Sequence, residues 1–149
     1  MIKIICVGKL KEKYLKEATL EYLKRLSKYT KIEIIEVMDE SIKEKALSLE
    51  SEKILRYTKD GDYIITLEID GNKITSKEFA SKIDNILINN PNITFIIGGS
   101  YGLDQSIKKR SNYSLSFSSM TFPHQLFRVM LLEQIYRAYK IINNESYHK

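Results

Sequence analysis

A single cysteine in 149 residues excludes an internal disulfide. Cys6 stands between Ile5 and Val7, a setting that suits a small buried hydrophobe better than a reactive thiol. No apolar run approaches the roughly 20 residues that a membrane-spanning helix needs. The opening "MIKIICVG" is too short, and too soon followed by charge, to serve as a signal peptide, so a cytoplasmic protein with no membrane association is expected. Histidine is also scarce: only His124 and His148 occur. With one cysteine and two distant histidines, no cluster has metal-ligand spacing, and no serine, cysteine and histidine arrangement suggests a triad. No metal is expected. Linkers, repeats and low-complexity tracts are absent too, which points to one domain over 1–149.

What is present is the balance of a globular chain, 43% hydrophobic and 29% charged, enough to bury a substantial core. The net charge of +5 favours a polyanionic partner. Lys9, Lys11, Lys13, Lys16, Lys24, Arg25, Lys28 and Lys31 crowd the amino-terminal part, and "KKR" follows at 108–110. These positions read either as solvated helix faces or as a phosphate footprint for nucleic acid, and composition leaves both open.

Apolar runs at 2–7, 32–37, 62–69, 93–97 and, more weakly, 113–117 have the length and residue types of buried strands. Helical patterns lie between them. Leu10, Tyr14, Ala18, Tyr22 and Leu26 recur four apart in 10–29 and predict one apolar stripe. Ser41 with Glu44 predicts a capping box at the start of a helix over 41–58. Thr75 with Glu78 predicts another before Phe79, Ile83, Ile86 and Leu87. Strands separated by single helices predict an α/β fold, a mostly parallel sheet of five to six strands with flanking helices.

In such sheets ligands sit at the carboxyl ends of the strands. The stretch "FIIGGSYGLD" places Gly98 and Gly99 directly after a strand. Its G-G-x-x-G spacing is neither the dinucleotide fingerprint nor a P-loop. A ligand-contacting loop and a plain glycine turn are both compatible with it.

The segment "SSMTFPHQLFRVMLLEQIYRAYKII" departs from the pattern of a surface helix. Pro123 suits a first turn. From Leu126 to Ile142, Glu133, Arg137 and Lys140 share one narrow face with Gln134 at its edge, and the rest is apolar nearly all round. Such a helix is covered on most faces, so a homodimer with this helix in the interface is expected. Arg128 falls among apolar neighbours and requires a carboxylate or another acceptor, most simply in a structural ion pair. Arg137 has Glu133 four residues earlier as one partner and a phosphate as another. His124, at a helix start, reads as structural. The tail "NNESYHK" is polar enough to fray, yet its aromatic, imidazole and lysine also suit contact with RNA.

"VGKLKEKY", "ITLEIDG", "FIIGGSYGL", "LSFSSMTFPHQLFRVMLLEQIYRAY" and the terminal "YHK", in this order, resemble the RlmH family over essentially the whole chain. These are bacterial SPOUT-superfamily methyltransferases. The resemblance implies a trefoil knot in the C-terminal part, a rare exception to the rule against threading. It implies a dimer, S-adenosylmethionine as methyl donor, and N3 of a pseudouridine in large-subunit (23S) ribosomal RNA, on the assembled ribosome, as substrate. Family cofactor contacts fall on Leu67, Gly98, Phe117, Ser118, Ser119, Met120, Thr121 and Phe122. The matching "YRA" and "YHK" positions make Arg137, Tyr147 and His148 candidates for handling the target base: Tyr147 by stacking or orientation, Arg137 on a phosphate or carbonyl, and His148, or a water it holds, accepting the N3 proton. In the dimer, one protomer's tail is expected to complete the other's site. The chain departs from the family where many relatives read "HPYH": Glu145 and Ser146 replace His-Pro, and a looser tail is expected. A non-enzymatic RNA-binding protein would keep the basic surface without binding the cofactor, and a flavodoxin-like domain would need a phosphate loop near residue 8, where only Gly8 stands.

Overall fold

The apolar runs become five strands of one sheet, β1 (Ile2–Val7), β2 (Ile32–Val37), β3 (Tyr63–Lys73), β4 (Ile93–Ile97) and β5 (Tyr113–Ser116), in the order β2-β1-β4-β3-β5. All four pairings are parallel. This is a computed structural model, and it describes every residue from Met1 to Lys149. The helices α1 (Lys13–Leu26), α2 (Lys43–Leu55), α3 (Ser76–Asn89), α4 (Gln105–Arg110) and α5 (His124–Ile142) complete an α/β architecture.

Period-2 alternation in the central strands divides the core into two layers. Ile2, Ile4 and Cys6 join Ile93, Phe95 and Ile97 beneath α1, α3 and α5, with Leu26, Phe79, Ile83, Leu131 and Ile135 on the helix side. Ile5, Val7, Ile64 and Ile96 face the opposite way, towards Ile54 of α2 and Ile107 of α4. Cys6 is buried as expected, and burial pushes its thiol up to about 12, so it is inert at neutral pH.

Three local expectations need correction. The α1 stripe is Leu15, Thr19 and Leu26, whereas Tyr14 is 64% exposed. Leu10 precedes the helix, because its backbone N–H donates to Glu36, so a period counted from Leu10 starts out of phase. The Ser41–Glu44 capping box is absent: α2 begins after Ile42 with no side-chain cap. The preceding segment is held instead by tertiary contacts, with the Glu40 N–H donating to Glu50 and Lys53 bonded to the Glu40 carboxylate at 2.7 Å. Third, β3 runs four residues beyond its predicted end at 69.

The Thr75–Glu78 box forms in full at α3. Thr75→Ala therefore costs about 1 kcal/mol in a denaturant titration, while Ser41→Ala, which removes no cap, stays within about 0.5 kcal/mol. An equal loss in both variants would refute the assignment.

The near-uniform apolarity of α5 has its explanation largely within one chain, since α5 lies on the sheet between α1 and α3. Leu126 remains 38% exposed, and Val129 and Met130 are half-buried, leaving an apolar strip on the outer side.

Candidate active site

Three segments converge at the carboxyl end of the sheet. They enclose a cavity of about 320 Å³. The end of β3 supplies Leu67, Glu68, Ile69 and Asp70; the turn after β4 supplies Gly98, Gly99, Gly102 and Leu103; the segment leading into α5 supplies Ser116 to Ser118 and Met120 to Phe122. The register explains the wall formed by β3. Leu67 and Asn72 both pair with Leu115, so residues 68–71 bulge from the ladder over the cavity. Gly71 makes this possible, since a Cβ there would lie 2.8 Å from the Leu115 carbonyl carbon. The opposite wall is aromatic: Phe127 packs against Phe117 and Phe122 with ring centroids 4.8 and 6.0 Å away.

Of the eight positions expected to hold a cofactor, Leu67, Gly98, Phe117, Ser118, Met120, Thr121 and Phe122 line the cavity. Ser119 does not; it is exposed in the turn where the Met120 N–H donates to Ser118 Oγ at 3.0 Å. His124, read as structural, is exposed and lines the cavity. The acidic pair Glu68 and Asp70 was missed altogether. Glu68 accepts from the Thr66 hydroxyl at 2.7 Å and faces Lys108 at 3.7 Å. The available signal was position: both acids directly follow Leu67 at a strand's carboxyl end.

Arg137, Tyr147 and His148 gather elsewhere. Glu133 accepts from Arg137 Nε and Nη2 at 3.0 and 2.6 Å and from the Tyr147 hydroxyl at 3.1 Å. Arg137 Nη1 lies 3.1 Å from His148 Nδ1, and its guanidinium sits 4.8 Å from the Tyr147 ring centroid. Burial, and then the Glu133 charge, push the Tyr147 phenol up to about 12. None of these residues touches the cavity. At 1.5 Å per residue, Arg137 is about 20 Å along α5 from His124, so one chain does not bring the two groups together.

The tail is not loose. Asn144 adopts φ 54° and the Glu145 N–H donates to the Lys140 carbonyl at 2.9 Å, ending α5 in a left-handed turn. Glu145 then accepts from Tyr29 at 2.7 Å and Lys140 at 3.1 Å, with Lys28 at 3.7 Å. The residue that replaces the family's histidine thus pins the tail to α1 and α5, which corrects the expectation from the missing proline. Glu145→Ala is expected to expose Tyr147 to carboxypeptidase several-fold faster; an unchanged rate would show that these contacts do not hold the tail.

The expected ion pair of Arg128 is present. The residue is 2% exposed, and its guanidinium donates to Glu36 at 2.6 Å and to the Gly8 carbonyl at 3.1 Å. Glu36 also accepts from the Leu10 N–H at 3.1 Å, and Gln125 accepts from the Lys11 N–H at 2.8 Å. The lysine-bearing loop after β1 is thereby fastened to the start of α5, beside the cavity.

The family model described as "Predicted SPOUT methyltransferase" matches residues 1–148. The ribosomal RNA large subunit methyltransferase H of Clostridium botulinum strain Alaska E43 is 56% identical, covering 99% of both chains. The ribosomal RNA large subunit methyltransferase H 1 of Clostridium perfringens strain SM101 is 55% identical with the same coverage. Among solved structures, a "probable methylase family protein" from Haemophilus influenzae matches with a TM-score of 0.60 at 15% identity, over 99% of this chain and 70% of that one, a likeness of fold.

Proposed function

The chain belongs to the RlmH family of SPOUT methyltransferases, and from that premise we propose that it methylates N3 of a pseudouridine in 23S ribosomal RNA. The proposed donor is S-adenosylmethionine and the proposed substrate is the assembled large subunit. The observation that carries this reading is the cavity, built from the segments the family uses for its cofactor. Its volume of about 320 Å³ suits a small organic ligand. Leu67, Leu103 and Phe117 offer an apolar wall, the bare backbone of Gly98 permits close approach, and Glu68 and Asp70 complement a cation. When bound, S-adenosylmethionine supplies an electrophilic methyl group on positively charged sulfur. Leu67, Gly98 and the run from Phe117 to Phe122 hold it, with Ser119 acting only through its place in the turn.

Tyr147 orients the target base, and Arg137 and His148 contact its polar edge. Much of the acceleration is then alignment of methyl and nitrogen, which can supply about 7–11 kcal/mol. Because cavity and tail cluster are far apart in one chain, the site is completed in a homodimer formed through the exposed strip of α5, the tail of one protomer reaching the cavity of the other. The reading also includes a single domain over 1–149, the family's trefoil knot and a cytoplasmic location. Lys9 and Lys11, on the fastened loop, meet the RNA backbone, so ribosome affinity should fall steeply with salt.

The test is complementation. Gly98→Ala and His148→Ala protomers, each strongly impaired alone at limiting cofactor, should regain a substantial fraction of wild-type turnover when mixed and allowed to exchange. No recovery in a verified heterodimer would contradict the shared site.

A further inference from the structure

We infer that His148 acts on the target base as a hydrogen-bond donor through Nε2–H, and that the N3 proton leaves to solvent and not to a residue of this chain. This rests on the reading that the tail reaches the base.

The contact between Arg137 Nη1 and His148 Nδ1, at 3.1 Å, permits only one assignment of roles. A guanidinium has N–H donors and no acceptor. Nδ1 is therefore the acceptor and carries no proton, and the neutral ring carries its proton on Nε2. The lone pair that would make His148 a base is already engaged.

The surrounding groups provide no substitute. The Tyr147 hydroxyl donates to Glu133, and its raised titration keeps it a phenol. Glu133 Oε1 takes Arg137 twice and Tyr147 once, while Oε2 takes Gln134 at 3.1 Å. From α1, Tyr22 and Arg25 face the neighbouring Tyr136 ring. Lys140 also lies over that ring, bonded to Glu145, whose other oxygen takes Tyr29. The cluster is rich in donors, and every oxygen of its two carboxylates, Glu133 and Glu145, already accepts a hydrogen bond.

Donors suit the chemistry. Loss of the N3 proton leaves a ring anion whose charge is shared by the two flanking carbonyl oxygens. Nε2–H bonded to one of these oxygens stabilises that anion. In the balanced step the N3–H bond breaks and the proton passes to water. The freed pair on N3 then bonds the methyl carbon, and the carbon–sulfur pair returns to sulfur, leaving a neutral thioether.

The test compares His148→Gln with His148→Ala in the full-length dimer, under single turnover on ribosomes lacking the modification. Glutamine places an N–H donor near the position of Nε2 but takes no proton near neutrality. His148→Ala should slow transfer on the order of 100-fold, as removal of one charge-stabilising donor does. His148→Gln should stay within about tenfold of wild type. Independently, nitrogen-15 spectra of histidine-labelled dimer, assigned with a His124→Gln variant, should show Nδ1 unprotonated. His148→Gln as slow as His148→Ala, or the proton on Nδ1, overturns the donor role while leaving the tail at the site. An unaffected His148→Ala overturns the tail reading and this inference together.

Discussion

Gly98→Ala loses S-adenosylmethionine binding by on the order of 100-fold while the sheet stays folded. A Cβ at this position would lie 2.5 Å from the Gly102 carbonyl oxygen and 2.8 Å from its carbon, with Leu103 Cδ2 at 3.1 Å. Two of these three atoms are backbone, so no rotamer change relieves the clash. The turn itself must open, and overpacking of this kind costs about 1–3 kcal/mol. At 1.4 kcal/mol per decade, the upper end corresponds to about 100-fold in affinity. The strain falls on the loop that forms one cavity wall, because Gly99 and Gly102 are joined there by an isolated bridge. Titration calorimetry of the purified protein with S-adenosylmethionine reads the loss, and circular dichroism confirms the fold. Gly61→Ala, with nothing within 4 Å of its Cβ, is the matched control. Equal affinity in Gly98→Ala and wild type would show that the cofactor does not depend on this turn.

The second large effect concerns stability. Glu36→Ala leaves Arg128 charged, 2% exposed and bonded only to the Gly8 carbonyl. Removing one partner of a buried pair typically costs 3–5 kcal/mol. Glu36 is itself exposed, which lets water reach the gap, so a loss below that range, about 2 kcal/mol, is expected. Arg128→Met should cost less, because no buried charge remains. Acid acts through the same group. Burial alone would raise the Glu36 carboxyl, but the hydrogen bond from Arg128, the Leu10 N–H and the Arg128 charge outweigh it and hold the carboxyl below the ordinary carboxylate range. A depressed folded value means that the contribution is fully present above the unfolded carboxyl value, about 4.3, and is lost as pH falls through the lower folded value. Denaturant midpoints from neutral to acidic pH should therefore fall less steeply in Glu36→Gln than in wild type. Parallel curves would remove Glu36 from the account.

Much of this molecule was legible in its residues because its strands are short, apolar and separated by single helices. The five runs became five strands, all but β3 with nearly the predicted limits. The Thr75–Glu78 box was readable because both partners are local. Ser41–Glu44 offered the same spelling and failed, since Glu50 and Lys53 claimed the neighbouring segment from a distance. α4 escaped notice because its six residues are too few to show a period. The buried contact of Lys3 with Asp62, at 3.6 Å, was invisible for a related reason: nothing local connects those positions. All eight expected cofactor positions came from a family resemblance, and all but Ser119 line the cavity, whereas Glu68 and Asp70 depend on a bulge whose register no local pattern announces. The tail was misjudged because the partners of Glu145 include Tyr29, 116 residues away in sequence.

Methyl transfer from labelled S-adenosylmethionine to ribosomes lacking the modification, with naked ribosomal RNA alongside, tests the central claim most directly. Label recovered as 3-methylpseudouridine from the ribosomes, with little from the naked RNA, is the predicted result. A folded dimer that binds the cofactor yet labels neither substrate, or labels a different nucleoside, would contradict it.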